Sequence, residues 1–174
     1  LVVFTQLFAI AQNSIPPLTY LTTEKGLSQA ISYDIFQDSR GIMWFTSYEG
    51  INKFDSNKIT KYTYDFNDKN SFWGNLSIGI VEDSKGNIWT GGNNCLNVYQ
   101  YNQNKFEHIK TTDTSDFYHY PLFATKNSVV FQKGNRFYSN DINSYKSTLF
   151  FIDKAFKYTN FKSKIFDTPS SYIV

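Results

Sequence analysis

The chain has 174 residues, of which 41% are hydrophobic and 18% charged, and its formal net charge is +2. That length fits about one domain with a substantial core, and so small a charge gives no indication of a nucleic-acid partner. The single cysteine excludes an internal disulfide framework and a cysteine-rich zinc site. Because 17 Phe, 13 Tyr and 3 Trp favour strands over helices, we expect an all-β protein.

The first eleven residues are almost entirely apolar and end in Ala9-Ile10-Ala11. An apolar stretch followed by an A-x-A pattern is typical of a secretory signal peptide, here without its basic start. The stretch is too short for the ~20 residues that a transmembrane helix needs. A buried strand or short helix is the alternative. We expect residues 1–11 to be a partial signal peptide and the protein to be exported.

A repeat occupies the middle of the chain. Three residues recur 45 positions later: Asp38, Gly41 and Trp44 return as Asp83, Gly86 and Trp89. A period of this length that contains several short strands is typical of β-propeller blades, which run ~40–45 residues in related folds. The repeat therefore predicts stacked blades.

Within the first copy the sequence predicts four strands, at 32–37, 42–47, 51–55 and 59–64, separated by short polar turns. Asp38 can accept hydrogen bonds from backbone N–H groups of its turn, and Gly41 can supply a positive φ. We expect the tryptophan of each copy to fill the gap between stacked sheets. Each blade should be a four-stranded antiparallel meander.

The blade boundaries follow from this period. We place blade 1 at about 28–66, blade 2 at about 73–112, a degenerate blade 3 at about 117–152 and the start of blade 4 at about 156–174. The third copy keeps the order strand, turn, strand but lacks the tryptophan. Because a propeller closes with ~4–8 blades, we expect three to four blades of an incomplete propeller in a fragment of a longer protein.

The repeated segments resemble the two-component regulator propeller repeat at two places, DSRGIMWFTS from Asp38 and DSKGNIWTGG from Asp83. The family pattern has Asp, two residues, Gly, one residue, an aliphatic residue and Trp. Residues 20–28 resemble the segment that precedes the first blade in such proteins. The resemblance covers 20–109 well and 117–152 loosely.

The resemblance implies the periplasmic sensor region of a hybrid two-component histidine kinase of the Bacteroidetes type. It implies a ligand-sensing segment of a phosphorelay, with an oligosaccharide as ligand and a position on the periplasmic side of the inner membrane. It places the membrane anchor and the kinase downstream of this chain. We expect no catalytic activity, no cofactor and no nucleic-acid contact in this segment; its protein partners would be the rest of its own propeller and a homodimer partner.

Signs of catalysis or metal binding have simpler explanations. Asp38 and Asp83, with Glu82, could be read as the carboxylate pair of a glycosidase, but their recurrence at one turn favours a structural role. His108 and His119 have no neighbouring cysteine or carboxylate cluster at ligand spacing. We therefore predict no catalytic residue and no metal site.

Candidate ligand-binding residues lie in loops at one rim, where propellers commonly bind ligands. Sugars are held by aromatic stacking together with amides and carboxylates. The candidates occupy the turn after the second strand, or the linker between blades: Tyr48, Glu49, Phe72, Trp73, Asn93 and Asn94. Their alternative roles are exposed turns and inter-blade packing.

Three functions remain open at this point. The first is the sensor segment, and the second is a secreted propeller protein, lectin-like or glycan-active, without a kinase. The third is a scaffold that assembles with copies of itself to cover its open sheet edges. A downstream membrane span would separate the first two.

Overall fold

The computed structural model describes residues 20–92, 95–110 and 118–154. Within those ranges the chain forms strands and one short 3-10 helix, Tyr101–Gln103, and no α-helix. The predicted partial signal peptide at 1–11 and the predicted start of blade 4 at 156–174 lie outside the described residues.

Three four-stranded antiparallel sheets make up the fold, and in each the strands pair in chain order. The first sheet contains β1 (Ile35–Gln37), β2 (Met43–Ser47), β3 (Gly50–Phe54) and β4 (Ile59–Tyr62). The second contains β5 (Ile78–Glu82), β6 (Ile88–Gly91), β7 (Cys95–Gln100) and β8 (Lys105–Lys110). The third contains β9 (His119–Ala124), β10 (Ser128–Lys133), β11 (Arg136–Asp141) and β12 (Ser147–Ile152). The prediction of an all-β, incomplete propeller is confirmed, since the three sheets do not close into a ring.

The turn between β1 and β2 takes its shape from Asp38. One carboxylate oxygen accepts the backbone N–H groups of Arg40 and Ile42, both at 3.0 Å. The other accepts the indole N–H of Trp44 at 3.0 Å. Gly41 has a φ of 84°, which a side chain would strain. The carboxylate thus fixes the turn and the following tryptophan together.

The turn between β5 and β6 repeats this arrangement. The carboxylate of Asp83 accepts the backbone N–H groups of Lys85 at 2.9 Å and Asn87 at 3.0 Å. It also accepts the indole N–H of Trp89 at 2.8 Å, and Gly86 has a φ of 79°. The two copies therefore form the same motif in neighbouring sheets.

The core lies in two layers between successive sheets, and β5 contributes to both because alternate residues of a strand face opposite sides. Ile80 belongs to the layer between the first and second sheets, and Val81 to the layer between the second and third. The first layer contains Trp44, Ile51, Phe72, Ile80, Ile88, Tyr99 and Phe106. The second contains Val81, Trp89, Leu96, Val98, Ile109, Val129, Phe131 and Ile142. Both repeat tryptophans are fully buried and stack one sheet on the next.

The direction of the strands determines which loops meet. Because β2 and β4 are both antiparallel to β3, they end at the same edge of the sheet. We call this edge the upper rim; it carries the turn between β2 and β3 and the linker 63–77. Backbone hydrogen bonds join the two, from Ser77 N–H to Ser47 C=O at 2.9 Å and from Gly50 N–H to Asn75 C=O at 2.5 Å. The Asp38 turn lies at the opposite rim.

Candidate functional site

A cleft of about 320 Å³ opens at the upper rim where the linker meets the first sheet. We call it the rim cleft. Its lining consists of Tyr48, Tyr64, Trp73, Gly74, Asn75 and Leu76. The turn after β2 supplies the first of these residues and the linker after β4 supplies the rest.

Three aromatic side chains of the rim cleft reach solvent. Tyr48 is 61% exposed, Tyr64 41% and Trp73 36%. The rings of Tyr64 and Trp73 meet edge to face, with centroids 5.5 Å apart and planes at 80°. Trp44 and Trp89, in contrast, have no exposed surface. Trp73 is therefore the tryptophan that a dissolved ligand can reach.

The backbone of Trp73 is fixed by a buried side chain of the second sheet. Asn97 accepts the Trp73 N–H at 2.8 Å and donates its amide to the Trp73 C=O at 3.1 Å. The His108 ring lies 5.7 Å from the Trp73 ring, and His108 Nε2 is 2.7 Å from the Ser71 carbonyl oxygen. Contacts with Asn97 and His108 thus position Trp73, while part of its indole stays exposed to solvent.

The floor of the rim cleft is apolar and its polar groups are neutral. Leu76 is 8% exposed, and the exposed Asn75 adds an amide beside the two phenol groups. No charged residue belongs to the lining. The arrangement can stack a flat apolar surface and offer hydrogen bonds without ionic attraction.

The predicted ligand-binding residues fall into different places. The rim cleft brings Tyr48 and Trp73 together. Glu49 occupies the same turn outside the lining, and its carboxylate accepts the side-chain amide of Gln29 at 2.9 Å. Asn93 and Asn94 lie outside the described residues.

Two linker residues differ from the sequence interpretation. Phe72 is fully buried against Phe106, with ring centroids 5.7 Å apart, so the packing alternative describes it. Tyr64 was not among the candidates, although it lines the rim cleft. The signal that could have found it is the direction of the strands, because β4 ends at Tyr62 at the same edge as the β2–β3 turn, and Tyr64 lies two residues further on.

A second cleft, of about 420 Å³, lies at the opposite rim between the Asp turns and the third sheet. Its polar groups hold the sheets together. The Glu82 carboxylate accepts the backbone N–H and the hydroxyl of Ser39, each at 2.7 Å, and Arg40 Nη1 at 3.2 Å. Ser84 donates its hydroxyl to the Lys126 carbonyl at 2.7 Å. Because these groups already form hydrogen bonds between sheets, the smaller rim cleft is the better candidate for a ligand-binding site.

The carboxylates and histidines considered for chemistry have structural contacts. Asp38 and Asp83 are each 4% exposed and bind their own turns, and His119 is fully buried. In the described part of the chain, no group of three or more His, Cys, Asp or Glu side chains could hold a metal ion. Across the same residues, no helix has the length and apolar character to cross a membrane.

The model for the family described as "Two component regulator propeller" matches residues 26–49. This range runs from Gly26 through the first Asp38–Trp44 turn to Glu49, and it includes Tyr48 of the rim cleft. The matched segment is therefore similar to one repeat of that family. The resemblance read from the sequence is thereby confirmed for the first blade. No curated protein matches the chain.

Solved structures share the fold. Two structures of one extracellular domain from B. thetaiotaomicron, described in one case as a hybrid two component system and in the other as a one component system, align with TM-scores of 0.61 and 0.60. Each is 19% identical; they cover 78% and 75% of this chain, which spans only 18% of theirs. Virginiamycin B lyase from Staphylococcus aureus aligns with a TM-score of 0.55 at 21% identity, over 70% of this chain and 41% of the lyase. At these identities the likeness shows the propeller fold alone.

Proposed function

We propose that this chain is a ligand-sensing propeller segment of a two-component sensor and that it lies on the periplasmic side of the inner membrane. The observation that carries the proposal is the regulator-propeller repeat at 26–49, within a fold shared with an extracellular domain described as a hybrid two component system. The chain itself performs no catalysis in this role. The remainder of its propeller and a homodimer partner complete the assembly.

The ligand we propose is an oligosaccharide. A rigid stack of sheets that presents exposed aromatic rings beside neutral amide and phenol groups suits sugar binding. Tyr48 and Trp73 are the predicted residues that line the rim cleft, and Glu49 lies beside it.

A secreted propeller protein is the second candidate, because nothing in the rim cleft requires a membrane anchor. Virginiamycin B lyase, which is an enzyme, shares the propeller fold, so the fold is compatible with this candidate. The two differ in whether the native polypeptide is bound to a membrane.

Fractionation of the source cells followed by immunoblotting separates the two candidates. A membrane-bound band several times larger than the 20.2 kDa of this chain is the result expected for a sensor. A periplasmic or secreted soluble band near 20.2 kDa would overturn the sensor proposal and favour the secreted protein.

A further inference from the structure

We infer that the rim cleft is a subsite for a neutral sugar ring, which stacks its apolar face on Tyr48, Tyr64 and Trp73, and that it disfavours acidic sugars. The inference rests on the proposed function in taking a saccharide as the ligand. It holds equally for an anchored sensor and for a secreted protein.

The aromatic character of the rim cleft is concentrated rather than scattered. Tyr48 comes from the turn after β2, whereas Tyr64 and Trp73 come from both ends of the linker, and all three converge on one opening. Single exposed apolar side chains are ordinary, but contiguous exposed patches mark binding surfaces. Tyrosine and tryptophan combine a rigid apolar face with a polar group, which suits a ring that is apolar on one face and hydroxylated at its edge.

The charge distribution selects against acids. The lining offers phenol, indole and amide groups and no cation. Carboxylates follow two of the lining tyrosines directly: Glu49, which accepts a neutral amide from Gln29, and Asp65, which accepts the Asn67 N–H. An anionic sugar would lose hydration on entering the rim cleft and find no opposite charge there. A neutral sugar does not incur this cost.

The size and anchoring of the rim cleft fit one ring at a time. Its volume of about 320 Å³ lies at the small end of ligand pockets. Asn97 holds the Trp73 backbone to the second sheet, while Tyr48 belongs to the first. Asn97 is thus a positioning residue, and an occupying sugar would contact elements fixed to two different blades.

Acrylamide quenching of tryptophan fluorescence tests this inference on the full chain, because Trp73 is exposed while Trp44 and Trp89 are buried. The probes are neutral cello-, xylo-, manno- and arabino-oligosaccharides, with oligogalacturonate as the acidic counterpart. We expect at least one neutral probe to protect Trp73 from acrylamide, and oligogalacturonate to bind about tenfold more weakly or not at all.

Substitutions of the lining tyrosines test whether the protection of Trp73 arises from binding in the rim cleft. Tyr48→Ala and Tyr64→Ala should each weaken binding about tenfold. Phe150→Ala should leave it unchanged, because Phe150 is 58% exposed on β12, away from the rim cleft. Far-UV circular dichroism and the emission of the buried tryptophans verify that each variant is folded.

Three results would overturn the inference: protection by none of the neutral probes, protection that survives both tyrosine substitutions, or oligogalacturonate binding as tightly as a neutral probe. None of them affects the fractionation experiment. If the native protein is membrane-bound but no sugar protects Trp73, the sensor proposal stands and the rim cleft is not its sugar site. If the native protein is soluble and a neutral sugar protects Trp73, the sensor proposal fails and the rim cleft remains a sugar site.

Discussion

Asn97 holds both peptide groups of Trp73, accepting the N–H at 2.8 Å and donating to the C=O at 3.1 Å. The first blade repeats this relationship 45 positions earlier, where Asn52 accepts the Ser28 N–H at 2.8 Å and donates to the Ser28 hydroxyl at 2.8 Å. In the first and second blades, the third strand therefore binds the segment that leads into the blade. In the second blade, the clamped segment carries the exposed indole of the rim cleft.

Replacing Asn97 by Ala should destabilise the fold by about 2 kcal/mol, because two peptide groups lose a buried partner. It should also release Trp73, which increases its acrylamide quenching and shifts its emission to longer wavelength. Asn52→Ala is the matched control, with a similar loss of stability and unchanged Trp73 emission. Urea denaturation and fluorescence measure both effects. Unchanged Trp73 emission in Asn97→Ala would show that other contacts position the indole.

The Asp83 carboxylate joins its turn to the core tryptophan, so Asp83→Ala should cost about 3 kcal/mol. The substitution removes the acceptor for the N–H groups of Lys85 and Asn87 and for the indole of Trp89. Asp83→Asn should cost less, because one carbonyl oxygen remains. Asp55→Ala is the control: its exposed carboxylate accepts two turn N–H groups but no indole, and its loss of stability should be clearly smaller than that of Asp83→Ala. Equal losses at Asp83 and Asp55, measured by urea denaturation, would refute a special role for the tryptophan bond.

This turn was predictable from sequence because its chemistry is local. Asp83, Gly86 and Trp89 lie within seven positions, and residues of these types at this spacing dictate hydrogen bonds and a positive φ. The bond from the second carboxylate oxygen to the indole was not predictable, since it depends on the path of the strand that follows. The four-stranded meander and the incomplete ring were predicted from the period of the repeat, because that period is the length of one blade.

Only some of the residues that line the rim cleft could be predicted from the sequence. Tyr48 stood out because it occupies a turn in a repeated frame, and Trp73 because it lies outside the strands. Tyr64 could be placed at this rim only from the order and direction of the strands, and its pairing with Trp73 depends on the path of the linker between them. Phe72 and Trp73 are adjacent and aromatic, and only packing against Phe106 decides which of them is buried.

The close packing of the second sheet against the third requires a glycine at position 91. A Cβ at this position would overlap the carbonyl oxygen of His119, a backbone atom that cannot rotate away. Gly91→Ala should therefore destabilise the fold by about 3 kcal/mol and loosen the contact of β6 with β9. Gly74→Ala is the control, because its Cβ would meet nothing within 4 Å and its φ of 85° costs only ~1–2 kcal/mol of strain. Thermal denaturation compares the two; a Gly91→Ala variant no less stable than Gly74→Ala would contradict the close approach.

Two partly buried tyrosines between the first and second sheets, Tyr62 and Tyr101, should make the fold sensitive to alkali. Burial, followed by the hydrogen bond that Tyr62 donates to Tyr99, raises the pKa of Tyr62 far above its ordinary value of 10.0. Burial and then the Asp38 carboxylate raise the pKa of Tyr101 to about 12. The folded state thus keeps protons that the unfolded chain has released, so the stabilisation is complete below pH 10.0 and is lost as the pH rises through about 12.

Tyr62→Phe should reduce the loss of stability at alkaline pH, because phenylalanine has no proton to release in the unfolded chain. The melting temperature of the variant should fall less than that of the natural chain between about pH 9 and about pH 11. Tyr33→Phe, at an exposed position, controls for the ionisation of lysines and other tyrosines, which affects all three proteins alike. If Tyr62→Phe and Tyr33→Phe lose stability with the same pH dependence as the natural chain, the partly buried phenol of Tyr62 does not cause the alkaline sensitivity. A smaller loss confined to Tyr62→Phe would assign the sensitivity to the layer that packs the first two blades together.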